Sequence, residues 1–593
     1  MLGCDDAEAD AWSALEAARV PRGDKWDGGP LGPTTGKVTS RPILAGSFVL
    51  DRWTDPDNPR PLGLLLADDT GVGYTALDSA PDGGLLALAA IAARAAPGCL
   101  VVFWKGASEG FHVFCRHIAP AASKAGWRIQ PLAVSTSIRA ILVSQGRTSF
   151  TLCDSQALSG ASHLDKAGWL ACFGLAESAD DDSVLPLYRS YVALQQLTRA
   201  HFGVALSATV GMLAVKAFRA TLPAEPLWLR PPGGLVAMCR AGGAYRGGAT
   251  HGESYQGPGW KVDCNKLYTW ALAQGLPRSS VLGKCFHDGR EQPGIYLCRV
   301  KGESPLPVRL SAWNGAERGY RKQTIRRVGV LTCLPHSEFE GLRALGLDVE
   351  PVMGYRFVGH VDTSQFTGKL FAMQTQYSRG TAQHLVAKML GNALVGKLGE
   401  KPDRLDLVYS ESMPDESFWP YLSWDSRIVP GLWVRQRNQP APHQRVDAAA
   451  HVTALGRSHV YTWLAEWLHM GGRVVHLDTD GEILSSDPTG LMPLDARTPG
   501  AFRSESSGEP TTVLGAKLYA NGQEVHTSGL AGASVGDVWL AFQRGQVSVG
   551  QSVLLSPWES QTARAHRSFL LRRQDSNSLL ADSSPAGSLI YGR

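Results

Sequence analysis

The run Val474-Val475-His476-Leu477-Asp478-Thr479-Asp480-Gly481-Glu482-Ile483-Leu484 reads as an apolar strand, a tight turn and a second apolar strand, with two carboxylates at the hairpin tip. Oxygen ligands on so rigid a support can hold Mg2+ against a triphosphate and an attacking 3′-oxygen, stabilising both ends of an in-line displacement. An ordinary surface turn is the plainer alternative. An EF-hand loop fails, because Ile483 stands where that loop's sharp turn needs Gly. Lys261-Val262-Asp263-Cys264-Asn265-Lys266-Leu267-Tyr268 is a strand ending in Asp263 and then a helical pattern, a place where a lone Asp equally serves as an N-cap. Lys388 and Asn392, at i and i+4, share one face of a helix expected to open near Thr381 and close around Gly396, where an isolated Lys equally belongs to a solvated face. Gly515-Ala516-Lys517-Leu518-Tyr519 adds a cation and a phenol.

Lys388 lies 125 residues after Asp263, Asp478 follows 90 later, and Lys517 stands 37 past Asp480. In this order the segments resemble motif A (D-x-x-S-L-Y-P), motif B (K-x-x-x-N-S-x-Y-G), motif C (Y-x-D-T-D-S) and the K-x-Y element of the family-B DNA polymerases. A fifth segment, Ala244-Tyr245-Arg246-Gly247-Gly248, resembles the Y-x-G-[GA] segment of the same enzymes, in which glycines let backbone approach a phosphate. The resemblance implies that Asp263, Asp478 and Asp480 bind two Mg2+ ions, with Mn2+ able to take their place. It implies that Tyr268 is the steric gate against a 2′-hydroxyl and that Lys388 and Asn392 bind the incoming nucleotide, Lys388 as a point charge on its phosphates. It also assigns Tyr245, Arg246, Gly247, Gly248, Lys517 and Tyr519 to primer and template. Lys266, Thr269, Ala393, Val395, His476 and Gly481 depart from these patterns, but none removes a metal ligand. Val395 stands where the family has a tyrosine under the nascent base pair, which implies altered fidelity or nucleotide affinity, and Lys266 adds a charge suited to phosphate.

The elements that must position these residues occupy a chain of 593 residues, enough for several domains. Charge is nearly balanced, 58 Lys+Arg against 54 Asp+Glu, so any nucleic-acid footprint has to be local. Ten cysteines without a C-x-x-C pair argue against a zinc ribbon and suit a reducing, cytoplasmic setting, such as a phage-infected or element-bearing bacterium. The most apolar stretch, Leu85 to Trp104, is broken by Arg94 and Pro97-Gly98, and the acidic N-terminus is unlike a secretory signal, so no membrane association is expected.

The expected fold class is a multi-domain α/β protein: an RNase-H-like, exonuclease-type N-terminal domain followed by a right-hand polymerase of palm, fingers and thumb with two insertions. Residues 1–40 read as a loose Gly/Pro-rich leader and 41–202 as the exonuclease-like domain, closed by a helix from about Leu185 to Phe202. The first part of the palm takes 203–270, and 271–368 is an insertion resembling the first terminal-protein region of protein-primed polymerases. Fingers take 369–398, an insertion resembling the second such region 399–445, the rest of the palm 446–530 and the thumb 531–593. These inserts imply a priming protein as partner beside DNA and dNTPs, strand displacement, and a monomeric enzyme of a phage or mobile element. Editing in this family needs carboxylates in D-x-E, N-x-x-x-[FY]-D and Y-x-x-x-D segments. Here the first reads Asp51-Arg52-Trp53, the second has Lys105 and Glu109 for Asn and Asp, and the third runs from Tyr188 to Val192, so proofreading is expected to be lost. Two basic clusters, Arg318 to Arg327 and Arg564 to Arg573, suit a DNA or partner surface and a phosphate-gripping thumb. A polymerase-shaped binding protein without catalysis, and self-primed or untemplated synthesis, are the alternatives.

Overall fold

The pentapeptide Cys99–Phe103 is wholly apolar and buried on both faces, as a central parallel strand should be. It lies between Ile43–Asp51 and Thr148–Asp154, parallel to both, in a nine-stranded sheet. On one side, Arg60–Asp68 and Gly71–Ala76 complete an antiparallel meander. On the other, Ser137–Gln145 and Arg128–Val134 form a hairpin. Helices cover both faces: Gly83–Arg94 contributes to one core, and Val184–Phe202, the helix expected from Leu185, packs Leu187, Tyr191 and Leu194 into the other. The protein is described here by a computed structural model covering residues 6–18, 41–51, 60–77, 83–104, 110–134, 137–159, 164–176, 184–222, 231–278, 285–286, 292–401, 403–409, 432–438, 441, 443–528, 533–554 and 564–572.

The last two strands of that sheet, Asp403–Tyr409 and Leu432–Asn438, come from the second insertion. Asp403–Tyr409 pairs antiparallel with Arg128–Val134, with Leu405 opposite Ala133 and Asp406 opposite Leu132. The insert therefore extends the N-terminal sheet and covers an edge that would otherwise present unpaired backbone.

A seven-stranded antiparallel sheet carries the motifs. Its order is Glu524–Thr527, Leu518–Asn521, Phe502–Gly515, Tyr255–Cys264, Gly481–Leu484, Val474–Asp478 and Thr250–Gly252. Behind it runs the helix Val446–His469, whose Val460, Tyr461, Leu464 and Trp467 share a core with Val262, Leu477 and Leu484 of the strands. The first insertion is built on a long bulged hairpin, Gly294–Asn314 and Gly319–Pro335, flanked by Leu347–Arg356. Glu253, just past the edge strand Thr250–Gly252, ties it to the seven-stranded sheet, accepting from Arg326 at 2.5 Å and from Arg473 at 3.0 Å.

The loose leader requires correction. Asp6–Ala17 is a helix, with Ala11, Trp12 and Leu15 buried among Leu235, Met238, Cys333 and Tyr355. Glu8 is fully buried on Arg299, Trp12 stacks on Tyr355, and the Tyr320 hydroxyl donates to the Ala11 carbonyl at 3.3 Å. Two of its acidic residues, Glu8 and Asp10, pair with Arg299 and Arg318 of the insertion.

At the C-terminal end, the helix Val535–Arg544 opens with a capping box of Ser534 and Asp537. It packs on Leu514 and Ala520 beside the hairpin of Gln546–Leu554 with Arg564–Arg572. Arg573 and the side chains of Arg564, Arg567 and Arg572 lie outside the described residues. Among the described residues no helix is long and apolar enough to cross a membrane.

Candidate active site

Asp263 is the penultimate residue of its strand and stands directly opposite Gly481, the residue after Asp480. Asp478 faces the same Gly481 across the hairpin, so all three carboxylates meet at one end of three adjacent strands. The backbone locks this register: Cys264 N–H donates to the Asp480 carbonyl at 2.6 Å, and Thr479 N–H to the Ala249 carbonyl at 2.7 Å. Thr479 turns the hairpin with a left-handed φ of 68°. Gly248 lies so close to it that any Cβ would collide with the Thr479 side chain.

Burial, with Asp263 and Asp478 as like-charged neighbours, pushes the Asp480 carboxyl up to about 7, although Lys388 opposes this. Burial also raises Asp263, even though Arg503 donates to its Oδ2 at 3.0 and 2.7 Å. Lys517 Nζ reaches Asp478 Oδ1 at 2.6 Å, while its own N–H donates to His476 Nε2 at 3.1 Å. Burial drives the His476 imidazole down to about 3, so it stays neutral and free to accept. Among the described residues no three carboxylate, imidazole or thiol groups are gathered closely enough to hold an ion as they stand, and two of the aspartates are engaged by basic side chains. The donor set nevertheless suits a hard divalent cation: oxygen ligands only, with one carboxyl burdened by two like charges.

Tyr268 sits in the first turn of Leu267–Ala273, half-buried and facing Gly456 of the long helix, and burial raises its phenol to about 12. The motif B helix is Ala382–Leu398, and Thr381 caps it by accepting from His384 N–H at 3.4 Å. Lys388 and Asn392 form an exposed stripe on it, with Lys388 acting electrostatically on Asp480, whereas Val395 is buried. Where this helix crosses Leu267–Ala273, Gly391 lies against Thr269 too closely to admit a Cβ. Lys266, in a left-handed conformation, and Lys388 together lower the His384 imidazole, burial being the larger cause.

Two expected nucleic-acid contacts are corrected. Arg246 is 7% exposed and turned inward, donating to both oxygens of Glu338 at 2.6 Å. Arg457 grips the same carboxylate at 2.8 and 2.7 Å and holds the Arg246 and Gly247 carbonyls at 2.9 and 2.7 Å. Gly247, exposed, and the half-exposed Tyr245 and Gly248 remain on the surface side of this segment. Tyr519 is likewise interior, its ring beside His476 and His526 and its hydroxyl donating to Glu524 at 3.2 Å.

Sequence reading missed Glu338, Arg457 and Arg503. Only their spacing from Asp263 and Arg246 could have flagged them, and that spacing carries no periodic signal.

Of the editing positions, Tyr188 and Val192 lie one turn apart on Val184–Phe202, half-buried. Asp51 ends its strand opposite Arg60, with its side chain outside the described residues, as are Trp53, Lys105 and Glu109. In the basic cluster of the first insertion, Arg318, Arg321, Arg326 and Arg327 each form an ion pair, with Asp10, Glu317, Glu253 and Glu303.

The fold that these two sheets and their insertions make is similar to that of phi29 DNA polymerase, a protein-primed family-B polymerase. The solved structures it resembles are those of phi29 DNA polymerase. The ternary complex with primer-template DNA and incoming nucleotide substrates matches with a TM-score of 0.66 at 15% identity, over 90% of this chain and 100% of that one. The orthorhombic crystal form gives 0.62 at 16%, and the complex with single-stranded DNA 0.60 at 15%, with the same coverage. No family model matches the chain, and no curated protein matches it in sequence.

Proposed function

We propose that this chain is a DNA-directed DNA polymerase that adds dNTPs to a 3′-hydroxyl, with Asp263, Asp478 and Asp480 as its metal-binding carboxylates. The observation that carries this reading is the register placing Asp263 opposite Gly481, beside Asp480, at the open end of the palm-like sheet. Magnesium bound there would supply Lewis-acid stabilisation of the attacking and leaving oxygens. Tyr268 closes the floor of the nucleotide site, and Lys388, exposed on the facing helix, meets the triphosphate as a point charge. Lys517 and Arg503 hold Asp478 and Asp263 in defined rotamers until substrate and cation arrive. Likeness to phi29 polymerase complexes supports primer-template DNA and dNTPs as partners, and the two insertions support protein priming with strand displacement by a monomer.

An RNase-H-like reading of the N-terminal domain is supported by its meander and central parallel strands. Loss of 3′-5′ editing is supported by Val192 standing where a carboxylate is needed.

The test is primer extension on a defined template with dNTPs and Mg2+. Extension to full length is expected from the wild type, and background only from Asp263→Asn; an Asp263→Asn variant that extends normally refutes the assignment. A labelled primer with a mismatched 3′ end, without dNTPs, should stay intact. One observation favours a binding protein without catalysis: two of the three aspartates are engaged by basic side chains. DNA binding with no incorporation under either Mg2+ or Mn2+ would establish that second reading.

A further inference from the structure

Lys517 has a left-handed backbone, with a φ of 61°. Residues with a side chain rarely adopt that region, and where one does, the groups around it must hold it there. Among the described residues three other non-glycine residues share this conformation, and two of them, Lys266 and Thr479, lie within three residues of the site's aspartates. Together with Ala516, Lys517 turns the chain from Phe502–Gly515 into Leu518–Asn521, and Gly515 pairs with Leu518 across the turn. The edge strand Thr250–Gly252 supports it closely: a Cβ on Gly252 would lie 2.2 Å from the Gly515 carbonyl carbon and 2.4 Å from the Ala516 nitrogen.

Two hydrogen bonds fix the backbone of Lys517. Its carbonyl accepts from Ser528 N–H at 3.1 Å, a bond between main chains that no change of side chain removes. Its N–H donates to His476 Nε2 at 3.1 Å, a bond that depends on one side chain. His476 is 2% exposed, paired with Gly252 on one side and Ile483 on the other, and its ring centroid lies 4.5 Å from that of Tyr519, so packing leaves the imidazole little freedom. His476 and Asp478 stand two apart on Val474–Asp478 and therefore share a face. Lys517 spans both, its backbone on the imidazole and its ammonium 2.6 Å from Asp478 Oδ1. Phenylalanine would keep a ring in this place yet offer the Lys517 N–H no acceptor. We propose that His476 is a positioning residue, which fixes the Lys517 turn through its ring nitrogen and so aims the Lys517 ammonium at Asp478. The inference rests on the polymerase reading of the site and adds to it a residue outside both the carboxylates and the K-x-Y segment that it serves.

The first measurement is hydrogen–deuterium exchange over residues 515–518 of the full chain, without DNA or nucleotide, and it does not depend on catalysis. His476→Phe is expected to exchange there about 10-fold faster than wild type, the effect of one lost hydrogen bond. His476→Gln, whose amide oxygen can accept in place of the ring nitrogen, should stay close to wild type. The second measurement is primer extension. His476→Phe is expected to lower kcat by about 10- to 100-fold with little change in KM for dNTP, and His476→Gln to restore most of that loss. Because His476 acts through Lys517, His476→Phe should cost nothing further in a Lys517→Ala background. His476→Leu, smaller and equally without an acceptor, covers the case in which Phe is not tolerated. Unchanged exchange in the folded variants, an unchanged kcat beside faster exchange, or the same loss of kcat with and without Lys517 would overturn the proposal. If wild type extends no primer, the polymerase reading falls, and the exchange comparison alone decides whether His476 fixes the turn.

Discussion

At the scale of single residues, the site depends on side chains that never face substrate. Glu338 is held between Arg246 and Arg457, and Arg457 in turn fixes the carbonyls of the Arg246-Gly247 turn. Burial alone would raise this carboxyl, but the two guanidiniums outweigh it and hold it at about 2. A depressed carboxyl contributes stability that is complete above its unfolded value, near 4.5, and is lost as pH falls through about 2. Glu338→Gln should therefore cost about 3–5 kcal/mol in urea unfolding at pH 7, because it leaves two buried cations short of a counter-charge. The gap between variant and wild type should narrow as pH is lowered from 4.5 toward 2; a gap independent of pH in that window would contradict the assignment. Gly248→Ala tests the turn from the other side. Its methyl must displace Thr479, and if the neighbouring aspartates are the proposed metal-binding carboxylates, a shift of even ~1 Å there is expected to reduce extension by about 10²-fold, with little change in melting temperature. The aspartates themselves were legible in the sequence because strand, turn and strand are local. Glu338 lies 92 residues from Arg246 and 119 from Arg457, and Arg503 lies 240 from Asp263, so those pairings exist only through the fold.

At the scale of elements, most segments that carry motifs could be placed from periodicity and capping, as the helix opening at Thr381 and the one ending at Phe202 show. The N-terminal helix could not, although Ala11, Trp12 and Leu15 fall on one face. Four acidic residues fall within its span, and the partners of two of them, Arg299 for Glu8 and Arg318 for Asp10, lie some 300 residues away. If the helix is a structural part of the insertion, Trp12→Ala should destabilise the protein by about 3–5 kcal/mol, measured by denaturant unfolding. A loose leader would show no change. Register was equally out of reach: which way Glu482 points depends on its pairing with Val262, more than 200 residues earlier.

At the scale of the molecule, the N-terminal sheet is completed by the hairpin of Asp403–Tyr409 and Leu432–Asn438, which couples two regions the sequence presents as separate. Replacing residues 402–439 by a short Gly/Ser linker should uncover the strand Arg128–Val134 and raise light scattering on standing, while extension of a short primed template persists. A variant that stays monodisperse would show that the edge is protected by other means. The same pairing bears on how the chain is made. At ~5–20 residues per second, the ribosome delivers Asp403 on the order of tens of seconds after Val134. Through that interval the nascent sheet waits with one flank open, the stage at which unfinished copies are expected to clump.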